Sequence, residues 1–200
     1  MPKSTFYNLS DEKKGRIFDA ALQEFSIRTF SQASLNQIIK NAGIPKGSFY
    51  QYFDSKEDLY LYMIEVASKE KIEVFNHVIE IDPEADVFEV IMHTTREFLE
   101  RGKAKPGYIE AAMLMQLDNS EFIMKIRKSS TSTEKFVKMV ERDKERGLIK
   151  PEVDSELVIN MMSTFSLNEY FRNGSDNERY LKNLDDAIKI IKDGVAVSKD

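Results

Sequence analysis

Six side chains between residues 46 and 56 are candidates for donating hydrogen bonds to a ligand: two lysines, three hydroxyls and one amide. They are Lys46, Ser48, Tyr50, Gln51, Tyr52 and Lys56. Ammonium and hydroxyl groups donate to phosphate oxygens, and an amide can both donate to and accept from the edge of a base. This segment therefore has the chemistry to bind a nucleic acid, provided that a helix presents these side chains together.

Two short helices joined by a glycine turn are predicted to position these donors. Ser34 is the predicted N-cap of the first helix, and Gln37, three residues later, would complete a capping box. Gly43 ends it, since a residue without Cβ adopts the left-handed conformation at little cost. Pro45 suits the first turn of a second helix, from about residue 45 to 52. Phe49 and Phe53 would pack that helix against the first, so that the donors, including Tyr52, face outward.

A third helix is predicted to follow at once, capped by Asp54 or Ser55 with Glu57 or Asp58 as the reciprocal acid. Lys56 lies in its first turn, where the helix dipole disfavours a cation unless an anion is near, and a DNA phosphate would be such an anion. This pattern is typical of a helix-turn-helix, which places a helix in the major groove of DNA. Three short capped helices also occur in ordinary helical cores, and spacing alone favours the two interpretations about equally.

Residues 34–59 closely resemble the DNA-binding signature of the TetR family of bacterial transcriptional regulators, T-x-x-x-I-A-x-x-A-G-V-S-x-G-x-x-Y-x-Y-F-x-x-K-x-x-L. The sequence matches this form at Ser34, Ile38, Ala42, Gly43, Ile44, Gly47, Tyr50, Tyr52, Phe53, Lys56 and Leu59. It departs at Ile39, where the family often has alanine, and at Pro45, where serine is common. The resemblance covers about the first third of the chain.

The resemblance implies an all-α protein of about nine helices in two domains. Residues 1–55 would form a three-helix helix-turn-helix domain, and residues 56–200 a larger helical ligand-binding and dimerisation domain. The DNA-binding residues would be Ser34, Asn36, Lys46, Gly47, Ser48, Tyr50, Gln51, Tyr52 and Lys56. Asn36 could pair with adenine, although it fits a solvent-facing position better. We expect a homodimeric repressor that a small apolar or amphipathic effector releases from double-stranded operator DNA.

Composition and charge agree with this expectation. The chain has a formal net charge of −5, but residues 1–53 carry seven basic and four acidic side chains, a net of +3, and the remainder carries −8. Such asymmetry suggests different partners for the two parts. The absence of cysteine excludes disulfides and thiolate metal sites. No signal peptide and no run of about 18 apolar residues is found, so we expect a cytoplasmic protein without a membrane partner.

An enzyme is the main alternative class, and the sequence argues against it. It has no cysteine nucleophile, no glycine-rich phosphate loop, no His-Glu-x-x-His and no Gly-x-Ser-x-Gly elbow. His77 and His93 are too isolated in the sequence to indicate a metal site, and we expect no metal and no cofactor. A purely structural helical module would explain the helices but not the outward-facing donors beside a basic N-terminal part.

The last two predicted helices carry apolar stripes at helical spacing, which would either close the core of a monomer or join two copies. The TetR resemblance favours a dimer interface, with Leu157, Met161, Leu184, Ile188 and Ile191 as its residues. A dimer is also what a helix-turn-helix needs to contact two half-sites.

A ligand site is expected in the middle of the chain, where methionines are frequent and could line an adaptable cavity. The candidate residues are His93, Arg96, Met113, Gln116, Met139 and Phe165. Methionine at helical spacing is more often plain core, and His93 and Arg96 on an amphipathic helix more often face solvent. The sequence does not identify the effector.

Overall fold

The structure, a computed structural model, describes residues 1–105, 107–117, 131–173 and 176–197. These residues form ten helices and no strand, which confirms the predicted all-α fold. The helices are α1 (Ser4–Tyr7), α2 (Asp11–Phe25), α3 (Leu35–Asn41), α4 (Lys46–Tyr52), α5 (Lys56–Ile81), α6 (Val87–Gly102), α7 (Tyr108–Leu117), α8 (Thr131–Glu145), α9 (Ser155–Asn173) and α10 (Asn177–Val195). The count exceeds the predicted nine because residues 4–7 form a short additional helix.

Helix boundaries follow from local capping signals. The Ser10 hydroxyl accepts from the backbone N–H of Lys13 at 3.4 Å and begins α2 as predicted. Asp154 caps α9 and Asp176 caps α10, each accepting a backbone N–H at 3.0 Å. Gly147 has a φ of +72°, the left-handed conformation expected after the end of α8. The turn predicted at residues 118–120, the start of the helix after it, and residues 174–175 lie outside the described residues.

The chain divides into two compact units. Unit 1 consists of Met1–Glu70 and Gly102–Lys128, and unit 2 consists of Lys71–Arg101 and Ser129–Asp200. This division differs from a boundary at residues 55/56, because the first part of α5 belongs to unit 1 and α7 packs against α2. The functional division into a DNA-binding and a ligand-binding part remains a prediction.

An aromatic cluster forms the core of unit 1. The rings of Phe25 and Tyr60 meet edge to face with centroids 4.7 Å apart, and Phe6 lies 5.0 Å from Phe53. Phe49 and Phe53 are fully buried and stack at 5.4 Å, which confirms that they form the inward face of α4. Aromatic pairs at such distances add stabilisation beyond their buried area, so the short helices are held by tertiary packing.

In unit 2, α9 and α10 pack against each other. Leu184 has no exposed surface and Ile188 is also buried within the single chain. The placement of these two residues in a dimer interface is therefore wrong: both face the core of the protomer. The hydroxyls of Ser166 and Tyr180 lie 2.6 Å apart in the same region.

A buried carboxylate organises the other end of unit 2. Asp143 is fully buried and accepts the backbone N–H of Val87 at 2.7 Å, at the start of α6. Its other oxygen contacts Arg142 at 2.8 Å and Arg146 at 3.2 Å. Because a buried charge is tolerated only when it is paired and hydrogen-bonded, these contacts account for an acid in this position.

Two further findings apply to the described part of the chain. None of its helices is long and apolar enough to cross a membrane. Within the same residues, no three His, Cys, Asp or Glu side chains come together in a way that could hold a metal ion.

Candidate nucleic-acid interface

The first helix of the helix-turn-helix, α3, begins at Ser34, whose hydroxyl accepts the backbone N–H of Gln37 at 3.3 Å. The reciprocal half of the predicted capping box is absent, because the Gln37 amide donates to Asn41 instead, at 2.8 Å. Gly43 has a φ of +63°, in the left-handed region, and glycine adopts this conformation more easily than any other residue. The turn after α3 therefore depends on a glycine at this position.

Glu24 replaces the missing half of that capping box. Its Oε1 accepts the backbone N–H of Ser34 at 2.7 Å, and its Oε2 pairs with Arg28 at 2.8 Å. Only 2% of Glu24 is exposed. The contact fixes the start of α3 relative to the end of α2, and sequence reasoning missed it. The available signal was an acidic residue at a position of α2 that is otherwise apolar.

The second helix, α4, starts one residue later than predicted, with Pro45 as its N-cap at φ −63° and ψ 145°. Lys46, Gly47, Tyr50 and Gln51 are exposed along one side of α4, as are Ser34 and Asn36 at the start of α3. Ser48 is half-buried. The structure therefore leaves most of the predicted DNA-binding residues accessible, and we call Lys46, Gly47, Tyr50 and Gln51 the α4 face.

Tyr52 does not belong to the α4 face, and its predicted outward orientation is wrong. Only 5% of it is exposed, and its hydroxyl accepts from the Lys13 ammonium at 2.9 Å. The same ammonium lies 5.3 Å from the centroid of the Tyr52 ring. The reason is its position in α4: Tyr52 lies three residues after Phe49, on the side of the helix that packs inward.

The last turn of α4 is held by residues from the start of the chain. The backbone N–H of Lys3 donates to the carbonyl of Tyr52 at 2.8 Å, and its ammonium donates to the carbonyl of Tyr50 at 2.8 Å. The Thr5 hydroxyl donates to the carbonyl of Gln51. The last carbonyls of a helix have no partner within it, so these contacts satisfy three of them. We call Lys3 and Thr5 the N-terminal brace.

Lys56, predicted to contact a phosphate, already has partners within the protein. Its ammonium donates to the carbonyls of Phe30 at 2.7 Å and Ala33 at 2.9 Å, and lies 4.5 Å from the centroid of the Phe30 ring. These carbonyls supply the negative partners that a cation in the first turn of α5 requires. Lys56 thus ties α5 to the segment between α2 and α3, and its contact with DNA remains a prediction.

Two lysines flank the turn of the helix-turn-helix without a neutralising partner. Lys40 is in the last turn of α3 and Lys46 in the first turn of α4, and both are exposed. In the described ranges no carboxylate lies within ion-pair distance of either one, whereas Arg28 pairs with Glu24. Unpaired exposed cations attract phosphate, so the α4 face carries positive charge that is available to a polyanion.

The residues predicted to bind a ligand fall in both units. Met113 is buried and Gln116 half-buried on α7 in unit 1; Met139 is buried on α8 in unit 2. Phe165 is half-buried on α9. His93 and Arg96 are exposed on α6, which is the solvent-facing alternative considered for them. Their roles in ligand binding remain predictions.

The apolar residues that α9 and α10 leave exposed overlap only in part with the residues predicted for a dimer interface. Leu157 is 55% exposed and Met161 50%, and Ile191 is half-buried. Phe171 on α9 and Ile190 on α10 are also exposed, Ile190 by 74%. We call these five residues the α9/α10 apolar face.

The fold contains a helix-turn-helix whose second helix is accessible, and comparisons with known proteins find relatives of the same kind. Residues 17–63 match the family model of bacterial regulatory proteins, tetR family. The HTH-type transcriptional regulator YdgC of Bacillus subtilis is 43% identical over 53 residues, which are 26% of this chain and 27% of that protein. The HTH-type transcriptional activator FasR of Mycolicibacterium smegmatis is 36% identical over 55 residues, 28% of this chain and 25% of that one. The chain thus matches about a quarter of the length of these curated relatives.

Solved structures extend the likeness along the chain. A TetR family transcriptional regulator from Chloroflexus aurantiacus is 27% identical with a TM-score of 0.69, over 99% of this chain and 100% of that one. The fatty acid degradation regulator FadR from Bacillus halodurans has a TM-score of 0.67 at 20% identity, over 90% of this chain and 96% of that one, and at this identity shares the fold alone. Residues 17–63 therefore match the tetR family model, and the chain shares its fold with a TetR family structure over nearly its whole length.

Proposed function

We propose that the protein is a transcriptional regulator that binds double-stranded operator DNA through its α4 face. The observation that carries this proposal is the exposure of Lys46, Gly47, Tyr50 and Gln51 on a helix whose opposite side is buried. A helix of this kind can enter the major groove, with Lys46 and Gln51 near base edges and the Tyr50 hydroxyl near a phosphate.

Charge supports the same orientation on DNA. The net of +3 over residues 1–53 is attracted to the phosphate backbone, while the net of −8 over the remainder is repelled from it. Lys40 and Lys46, both exposed without a carboxylate partner in the described residues, are the side chains best suited to release counterions on binding.

A second copy of the chain would cover the α9/α10 apolar face. Leu157, Met161, Phe171, Ile190 and Ile191 present large apolar side chains to solvent in the isolated chain, and burying such surface is favourable. A two-fold dimer presents two α4 faces to two half-sites. The interface proposed here differs from the sequence prediction in replacing Leu184 and Ile188 by Phe171 and Ile190.

Regulation would be repression that a small apolar or amphipathic effector relieves. DNA and effector would favour different states of the dimer, and linkage requires that each weakens the binding of the other by the same factor. The apolar character of the effector is supported by the buried methionines Met113 and Met139. The fold is also shared with a protein named as a regulator of fatty acid degradation.

A salt-dependent gel shift with DNA from upstream of the protein's own gene tests this proposal. Binding should weaken steeply with salt, and Lys46→Ala should lower the slope of log K against log salt by about 0.9, as for one lost phosphate contact. Lys182→Ala is the matched control, because Lys182 is an exposed lysine of α10 and should leave the slope unchanged. Equal slopes for Lys46→Ala and wild type would argue against the α4 face, and activation of a reporter would reverse the sign of regulation.

A further inference from the structure

Lys71, the first residue of unit 2, carries a charge that the protein does not neutralise. It lies on α5, and its ammonium is 5.3 Å from the centroid of the ring of Phe98 on α6. Throughout the ranges that the structure describes, no carboxylate lies within ion-pair distance of this ammonium. Most other unit 2 lysines that make a side-chain contact within the described residues pair with a carboxylate, as Lys189 does with Asp185 at 2.5 Å.

The surroundings of Lys71 are apolar. Phe98 is 5% exposed, and Val74, three residues after Lys71 on α5, has no exposed surface. Burial lowers the pKa of the Lys71 amine, because desolvation disfavours its charged form. The Lys71 side chain is half-buried, and its charge gains only a ring contact from the protein, so an anion that binds here would not have to displace a carboxylate.

Thr94 supplies a second unsatisfied group on the same side of α6. Its hydroxyl oxygen is buried and has no hydrogen-bond partner. Thr94 and Phe98 are four residues apart, so their side chains lie on one face of the helix, the face that meets Lys71. Buried hydroxyls are nearly always hydrogen-bonded, so an unpaired one on the helix face that meets an ammonium without a carboxylate partner points to a ligand contact.

The neighbouring acid does not fill this role. Glu97 accepts from His77 at 2.9 Å and also pairs with Arg101. Its carboxylate is therefore already engaged by two other side chains.

We propose that Lys71 and Thr94 bind the anionic head of the effector, whose apolar body packs against the buried residues of α5 and α6. The effector is then an amphiphile with a carboxylate or phosphate head. This inference rests on the proposed function, since it names the chemical class of the regulator's ligand. The ammonium forms a charge-assisted hydrogen bond with the head, and the Thr94 hydroxyl donates a second one.

Decanoate, decyl phosphate and decanol, used below their micelle-forming concentrations, test the proposal by calorimetry and by release of bound DNA. We expect wild type to bind at least one of the two anions about tenfold or more tightly than decanol, since hydrogen bonds to charged groups are the strong ones. Preference between decanoate and decyl phosphate identifies the head. Thr94→Val should weaken binding of the preferred anion and leave binding of decanol unchanged.

Lys71→Met is the decisive variant, because it keeps the length and apolar character of the side chain. It should bind decanol as wild type does and lose the preference for the anion, and without ligand it should melt no lower than wild type. Lys69→Met, one exposed lysine earlier in the chain and paired with Glu65 at 2.8 Å, is the matched control and should keep the preference.

Three results would overturn the inference. In the first, the wild-type protein binds DNA but none of the three amphiphiles. In the second, the Lys71→Met protein still prefers the anion to decanol. In the third, the Lys71→Met protein is clearly less stable than wild type without ligand. Each is distinct from failure of the proposed function, which would appear as wild type that does not bind its upstream DNA at any salt concentration.

Discussion

Replacing Lys56 by Ala removes three interactions at once. The ammonium donates to two backbone carbonyls, at 2.7 Å and 2.9 Å, and lies 4.5 Å from the centroid of the Phe30 ring. A hydrogen bond to a charged group contributes about 1.5–3 kcal/mol, and a cation–π contact about 0.5–2 kcal/mol. The side chain is half-buried and the three contacts share one ammonium. We therefore expect a total loss of about 2–4 kcal/mol rather than the full sum.

Thermal unfolding followed by circular dichroism measures this loss. For a chain of this size about 1 kcal/mol corresponds to about 2–4 °C, so Lys56→Ala should lower Tm by roughly 5–15 °C. Lys46→Ala is the matched control: Lys46 is exposed in the first turn of α4 and should change Tm by less than about 2 °C. A Lys56→Ala protein that melts with wild type would refute the structural role assigned to this lysine.

The same two variants separate a structural role from a DNA contact. A residue that binds phosphate lowers the salt slope by about 0.9 when it is removed, whatever its effect on stability. Lys46→Ala should change only the slope. Lys56→Ala should change Tm, and its slope will fall as well if the third N–H of its ammonium reaches a phosphate, as the TetR resemblance predicts.

Three further predictions concern other parts of the molecule. Leu184→Asp should unfold the protomer, because it buries an unpaired charge in the core, whereas Ile190→Asp should leave the helical spectrum intact and yield a monomer by light scattering. A dimeric Ile190→Asp protein would exclude that residue from the interface. The pKa of Glu169 is lowered, chiefly by the hydrogen bond that the Asn183 amide donates to its carboxylate. The ionised Glu169 therefore stabilises the fold above the ordinary glutamate pKa of about 4.3, and this stabilisation is lost as pH falls through the lower folded pKa. Glu169→Gln should flatten the dependence of Tm on pH between the ordinary glutamate pKa of about 4.3 and the lower folded pKa. An unchanged dependence of Tm on pH in this acid range would contradict the assignment. Lys3→Ala should weaken operator binding while leaving Tm within a few degrees, and undiminished binding would show that the N-terminal brace does not position α4.

The features that sequence could predict depend on neighbouring residues in the chain. Ser10, Ser34 and Gly43 act within one turn of their own position, and each begins or ends a helix as expected. The spacing of Phe49 and Phe53 also predicted that Lys46 and Tyr50 face outward. The TetR signature added what spacing alone left open, the choice between a DNA-binding helix-turn-helix and an ordinary helical core.

The errors arise where a residue's partner is distant in sequence or where two faces of a helix compete. Leu184 lies on an apolar stripe, and helical periodicity cannot tell a stripe that faces its own chain from one that faces a second copy. Tyr52 matched a family position, but it lies on the inward side of α4 with Phe49, where its hydroxyl accepts from Lys13, 39 residues earlier. The ammonium of Lys56 reaches carbonyls 23 and 26 residues away, which no local pattern encodes.

The N-terminal brace limits how this protein's DNA specificity could be transplanted. The side chain of Lys3 reaches a carbonyl of α4 across 47 residues, and that of Thr5 across 46, so the support of this helix is not encoded in residues 34–59. A seven-residue helix has little stability of its own. A chimeric regulator that receives only the helix-turn-helix segment would therefore inherit the side chains that meet DNA without the groups that anchor the end of α4. Exchange of the whole segment from residue 3 onward would keep both.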